Sequence, residues 1–114
     1  MPIVERFIAV YKLWDEFRDD FPKKTRYTLG EKIDEYFIQI IELLFIASYL
    51  VKQEKIPYLR RASVKLDSLK LFLRISWELK VLDNKKFILL SEHLDEMGKM
   101  LGGWERQLTK TSAY

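Results

Sequence analysis

A chain of 114 residues that is 48% hydrophobic has the length of one ordinary domain and enough apolar material for a core, which argues against disorder. With no cysteine, disulfides, zinc–thiolate sites and thiol nucleophiles are excluded, and a reducing, cytoplasmic setting is expected. The formal net charge of +3 is mild, so the placement of the cations matters more than their excess. Only 4 Gly and 3 Pro are present and strand signals are poor, which together predict an all-α protein with long elements.

The first predicted helix covers about residues 2–20. Ile3, Phe7, Val10, Trp14, Phe17 and Phe21 recur at spacings of four and three and so share one face. Pro2 suits a first helical turn, where a missing N–H costs nothing. The opening run carries Glu5 and Arg6 without a basic leader, so no signal peptide is expected. The stretch FPKKTRYTLGEK, residues 21–32, then breaks the pattern with three cations in four residues.

The second helix is predicted over about residues 28–52, opened by a capping box of Thr28 and Glu31. Its inner face reads Ile33, Phe37, Ile40, Leu44, Ala47 and Val51. Gly30, near its start, predicts a closely approaching neighbour. The apolar run from Tyr36 to Val51 contains Gln39 and Glu42 and falls short of the roughly 20 residues a membrane span needs. The third helix, about 57–82, would start at Pro57 and carry the seam Leu59, Ala62, Leu66, Leu69, Leu73, Ser76 and Leu79. The fourth, about 84–108, would be capped by Asp83 or Asn84. Phe87, Leu90, Leu94, Met97, Leu101, Trp104 and Leu108 form its seam. Short connections make neighbours antiparallel, and an up-down-up-down four-helix bundle is the economical arrangement.

Two helices carry apolar residues well off these seams. On the second they are Ile38, Phe45 and Tyr49; on the third, Val64, Leu71 and Ile75, with the small Ser68 between them. Scattered surface apolar residues are ordinary, but aligned stripes mark interfaces. Self-association through these six residues is therefore expected.

Catalytic patterns are missing. His93 is the only histidine, and Leu90 stands where a di-iron bundle would need Glu three residues earlier. No metal or other cofactor is expected. The tandem acids Asp15-Glu16, Asp19-Asp20 and Asp95-Glu96 read as solvated helix faces, and there is no phosphate-binding glycine loop. Enzyme activity is not expected.

Charge remains. Residues 57–82 carry six cations against two anions, whereas residues 1–20 carry three against five. One end of the bundle would gather Lys23, Lys24, Arg26, Lys80, Lys85 and Lys86, offset by Asp19, Asp20 and Asp83. The other would gather Lys52, Lys55, Arg60 and Arg61. Lys65, Lys70 and Arg74 extend the positive charge along the third helix. Cations so spaced can meet phosphates and displace counterions. They can equally be solvated, or paired with acids of the first two helices. Lys23 and Lys24 complement the dipole at the end of the first helix, while Arg26, just before the second, gains nothing from it. Side-chain chemistry leaves both readings open.

The order FPKKTRYTLGEKI, a long apolar helix, IPYLRRASVKLDSLKLFLRISWELKVLD and MGKMLGGW resembles the accessory variability determinants (Avd proteins) of diversity-generating retroelements, from about Ile3 to Trp104. The sequence also resembles the wider bacterial four-helix-bundle family that includes proteins encoded by ribosomal-RNA intervening sequences. The resemblance implies a homopentameric barrel without catalytic activity. It further implies binding to the retroelement's reverse transcriptase and, through a basic surface, to RNA or DNA, in support of mutagenic reverse transcription. Lys23, Lys24, Arg26, Arg60, Arg61 and Arg74 match the basic pattern. The alternative is a structural or interaction bundle of the intervening-sequence type with no retroelement partner.

Overall fold

The computed structural model describes residues 2–112, and every regular element among them is helical. Four long helices form the molecule: α1 (Pro2–Arg18), α2 (Glu31–Ser48), α3 (Lys52–Glu78) and α4 (Asn84–Ser112). A single turn, Lys23–Thr25, and a π-helical segment, Arg26–Gly30, lead into α2.

Cross-helix pairs set the direction of each helix. Tyr11 and Trp14 meet Phe37, and Tyr36 stacks on Phe72 at 5.6 Å between ring centroids. Lys70 pairs with Asp95 and Arg60 with Glu105, each at 3.0 Å, and Arg6 reaches Glu96 at 2.8 Å. Contacts that join the same two helices run in opposite order (Arg60–Glu105 and Lys70–Asp95, Tyr36–Phe72 and Gln39–Lys65, Tyr11–Phe37 and Arg18–Asp34, Arg6–Glu96 and Asp20–Lys86), so adjacent helices run antiparallel and α4 closes against α1. The result is an elongated bundle of 52 × 20 × 19 Å.

The 3,4 spacings locate the core. Ile3, Phe7, Val10, Trp14 and Phe21 are buried, as are Ile33, Phe37, Ile40, Leu44 and Ala47. So are Leu59, Ala62, Leu66, Leu69, Leu73 and Ser76 of α3, and Leu90, Leu94, Met97, Leu101 and Leu108 of α4. Each fully buried aliphatic side chain contributes about 1.5–3 kcal/mol. Phe17, Phe87 and Trp104 are half-buried against this core. Two seam positions fail. Val51 is 67% exposed because it is the extended residue that turns the chain into α3, and Leu79 is 58% exposed because α3 ends at Glu78.

The helix starts differ from the sequence expectation. Thr28 does not cap α2; it lies inside the π-helical segment, and its hydroxyl donates to the carbonyls of Lys24 (3.2 Å) and Thr25 (3.4 Å). Helical structure begins at Lys23, immediately after Pro22, whose ψ of 148° is extended and whose carbonyl accepts the Arg26 amide at 2.8 Å. Gly30 is buried, but a β-carbon there would meet its nearest neighbour, the Thr25 carbonyl, at 3.4 Å, an ordinary contact. Pro57 does not open α3. It sits inside a helix that starts at Lys52, where its ring leaves the Gln53 carbonyl without the usual amide. Asp83 does cap α4: its Oδ1 accepts the Lys86 amide at 2.9 Å. α4 then runs to Ser112, past residue 108.

The C-terminus of α3 closes in a paired turn. The Val81 amide donates to Ser76 O and the Lys80 amide to Trp77 O, both at 3.0 Å, which is the Schellman arrangement. Lys80 occupies its left-handed position at φ 63°. Between α1 and α2, Asp34 accepts from Arg18 at 2.9 Å and from the Trp14 indole at 3.4 Å. Burial, and then the adjacent Asp34 carboxylate, push the Tyr11 phenol above its ordinary pKa.

Candidate nucleic-acid interface

The cations expected to meet phosphate fall into three physical situations. Lys23 and Lys24 are exposed and have no carboxylate partner among the described residues. Both lie in the short turn that Pro22 initiates, where no core residue constrains them.

Arg26 is different. Its Nη2 donates to the carbonyls of Asp19 (3.2 Å) and Phe21 (3.1 Å), and its Nε is buried with no acceptor among the described residues. The guanidinium reaches back over the end of α1 and satisfies the carbonyls of Asp19, which follows its last residue, and of Phe21 in the turn beyond. Arg26 therefore does serve the C-terminus of α1, contrary to the sequence reading. Phe21, beside it in the sequence, packs edge-on against Trp14 at 5.4 Å.

The α3 cations divide between two flanks. Arg61 lies over the Tyr58 ring at 5.5 Å, and Lys65 donates to Gln39 Oε1 at 2.7 Å, both on the side facing α2. Arg60 pairs with Glu105 and Lys70 with Asp95 across to α4, and Arg74 with Glu78 one turn along α3 at 3.4 Å. The acids that hold them come from α4 and from α3 itself, not from α1 and α2. These pairs are solvent-exposed on at least one side, and such pairs hold a geometry for only ~0–1 kcal/mol. The Arg60 and Arg74 side chains keep 64% and 65% of their surface in water. Arg60 and Arg74 stand about 21 Å apart along the helix at 1.5 Å per residue.

The apolar stripes lie between and beside these cations. Val64 is 65% exposed and Leu71 51%, while Ile75 is half-buried. Ile38, Phe45 and Tyr49 of α2 are also exposed, and the Phe45 and Tyr49 rings pack against each other at 5.1 Å. The periodicity thus placed these six off the core.

At the end formed by the first and third connections, Lys86 is bonded to Asp20 and lies 3.9 Å from Asp83. Its hydrogen bond with Asp20 is the main cause that raises its pKa above the usual lysine value. Lys80 and Lys85 at this end have no ion-pair partner among the described residues. Two exposed aromatic residues, Tyr27 and Trp77, share this end and were not singled out by the sequence, because neither falls on a seam. Arg106 was also missed. Its guanidinium lies over Gly102 and Gly103, with Nη1 3.3 Å from where a Gly102 β-carbon would stand. The Gly-Gly pair thus leaves room for an arginine one turn on. Trp104, next to it, carries the Lys55 ammonium 5.7 Å over its ring, and that ammonium donates to Ala47 O at 2.7 Å, closing the end of α2.

Among the described residues no group of three or more His, Asp or Glu side chains is placed to hold a metal ion, and no helix is long and apolar enough to cross a membrane. A family model described as bAvd-like matches residues 2–108. No curated protein matches the chain.

Proposed function

Because the chain belongs to the bAvd-like family, we propose that it is an Avd-type accessory protein of a diversity-generating retroelement. In this reading it is non-catalytic and cytoplasmic. It binds the element's reverse transcriptase together with template RNA or cDNA and so supports mutagenic copying. The observation that carries the proposal is the family match across residues 2–108.

The surface supports it. Lys23 and Lys24 are free to meet phosphate, and Arg60, Arg61, Lys65, Lys70 and Arg74 line the two flanks of α3 through contacts that water already competes for. Arg26, bonded to the Asp19 and Phe21 carbonyls, fixes the turn that presents the two lysines. The stripes Ile38, Phe45, Tyr49 and Val64, Leu71, Ile75 would be covered by further copies of the chain in a homopentamer. A ring multiplies the charge of each face by its copy number, which compensates for the modest excess of one subunit.

Filter binding of structured RNA over a salt series tests the electrostatic part. Affinity should fall steeply with salt, and reversal of Arg60, Arg61 and Arg74 to Glu should weaken it while leaving the helical signal intact. Affinity indifferent to salt would sink the mechanism. Co-purification of a tagged chain with the reverse transcriptase of the same element tests the partner.

One observation favours a second reading. Arg60, Lys70 and Arg74 each already have a carboxylate within 3.4 Å, as expected of a structural bundle of the intervening-sequence type whose charges only solvate it. An oligomer that binds neither nucleic acid nor polymerase would establish that reading.

A further inference from the structure

The third connection carries an open cleft of about 580 Å³, lined by Trp77, Glu78, Lys80, Leu82, Asp83 and Asn84. Its wall is an aromatic ring held in a fixed pose. Trp77 stacks on Phe87 with 4.9 Å between centroids and 10° between planes, and its indole N–H donates to Asn84 Oδ1. Despite both restraints Trp77 remains 38% exposed. Core formation does not require it there, since the neighbouring Ser76 and Leu82 close the core beneath the turn.

The rim carries both signs, with Glu78 and Asp83 against Lys80 in the lining and Lys85 one residue beyond it. Each of the two acids has a cation beside it: Arg74 donates to Glu78 at 3.4 Å, and the Lys86 ammonium lies 3.9 Å from Asp83. Lys80 and Lys85 have no ion-pair partner among the described residues. Lys80 also holds the left-handed position at φ 63°, where a side chain is costly and glycine is the usual occupant. Strain kept at a surface position points to a use for the side chain that causes it. Lysine adds an ammonium at the mouth of the cleft.

We infer that this cleft takes an unpaired base of single-stranded nucleic acid. The base stacks on Trp77, and Lys80 and Lys85 meet the adjoining phosphates. Every base has a π-face, so such a platform is tolerant of sequence, and a base inside a duplex is already stacked and does not reach it. The inference rests on the nucleic-acid reading above and narrows it to a single strand.

The test is fluorescence anisotropy of a short labelled single-stranded RNA without self-complementarity, beside the same strand annealed to its complement and competition by uridine monophosphate. Circular dichroism checks that each variant is folded. Trp77→Ala should weaken single-strand binding about 5- to 150-fold, the range for one lost stacked base. Trp77→Phe, which keeps a ring, should recover most of it. Lys80→Gln and Lys85→Gln should each weaken binding and flatten its dependence on salt. If single strand and duplex bind alike and folded Trp77 variants match the wild type, the inference is overturned while nucleic-acid binding stands. Competition by the mononucleotide on equal terms with the strand would also overturn it, in favour of a free-nucleotide site. Binding of neither strand nor duplex would remove the nucleic-acid reading and this one together. Should Trp77→Ala unfold the chain, Trp77→Phe and the two lysine variants decide the matter.

Discussion

Lys80→Gly should make this protein more stable. At φ 63° the lysine pays a steric cost of about 1–2 kcal/mol that glycine does not. Against this, glycine loses more freedom on folding, about 0.4–1 kcal/mol. Lys80 is exposed and has no ion-pair partner among the described residues, so little else is lost. Its amide bond to Trp77 O and the neighbouring Val81 bond to Ser76 O belong to the backbone and survive. The net gain spans about 0–1.6 kcal/mol and centres on about 0.8 kcal/mol. With an unfolding entropy of about 2.1 cal/mol/K per residue, a gain of that size raises the Tm of a 114-residue chain by about 2–4 °C. Calorimetry or thermal circular dichroism measures it, with Lys80→Ala as control. Alanine keeps the β-carbon and therefore the strain, so it should show no comparable gain. Equal Tm changes for glycine and alanine, or a fall with glycine, would refute the argument. If the cleft binds nucleic acid as inferred, the stabilised variant will also bind it less well.

Asp34→Ala removes the acceptor shared by Arg18 and the Trp14 indole and should cost about 2 kcal/mol in urea unfolding. Tyr11 gives a pH signature: its folded pKa lies above the unfolded value of 10.0, so its contribution is complete below pH 10.0 and is lost as pH rises through the folded value. Tyr11→Phe should flatten the alkaline loss of stability relative to the wild type. Arg26→Ala should lower stability by about 1–2 kcal/mol through the Asp19 and Phe21 carbonyls, whatever it does to binding. Phe45→Asp should leave the helical signal unchanged and lower the mass seen by light scattering; an unchanged mass would remove α2 from the subunit contact.

The seams were readable because burial on a helix repeats at a period the sequence displays directly. Trp14, Leu69 and Leu94 needed nothing beyond spacing. Failures came where a three-dimensional neighbour or a chain reversal decides. Pro57 looks like a helix start, but Val51 turns the chain earlier and Lys52 begins the helix. Thr28 and Glu31 have capping-box spacing, yet Pro22 had already started helical structure five residues before. The destination of Arg26 is seven residues back and depends on how α1 ends, which no local pattern states. The partners of Arg60 and Lys70 lie across α4, a pairing visible only once the bundle is assembled. The Trp77 cleft has no sequence signal, because Phe87 and Asn84 meet Trp77 only after the third connection folds.

The wiring of the bundle bears on how quickly it assembles. Each helix packs on the one before it across a connection of at most twelve residues (19–30, 49–51 and 79–83), and only the docking of α4 on α1 joins distant parts of the chain. Such local topology belongs to the class that folds in microseconds to milliseconds. The hairpin of α1 and α2, with its Trp14–Phe37 stack, is complete in sequence before α3 is made. A ribosome emitting about 5–20 residues per second therefore releases each helix far more slowly than it can find its partner. The outward stripe of α3 reaches solvent only after the first hairpin has had time to close, which separates subunit folding from any later meeting of subunits.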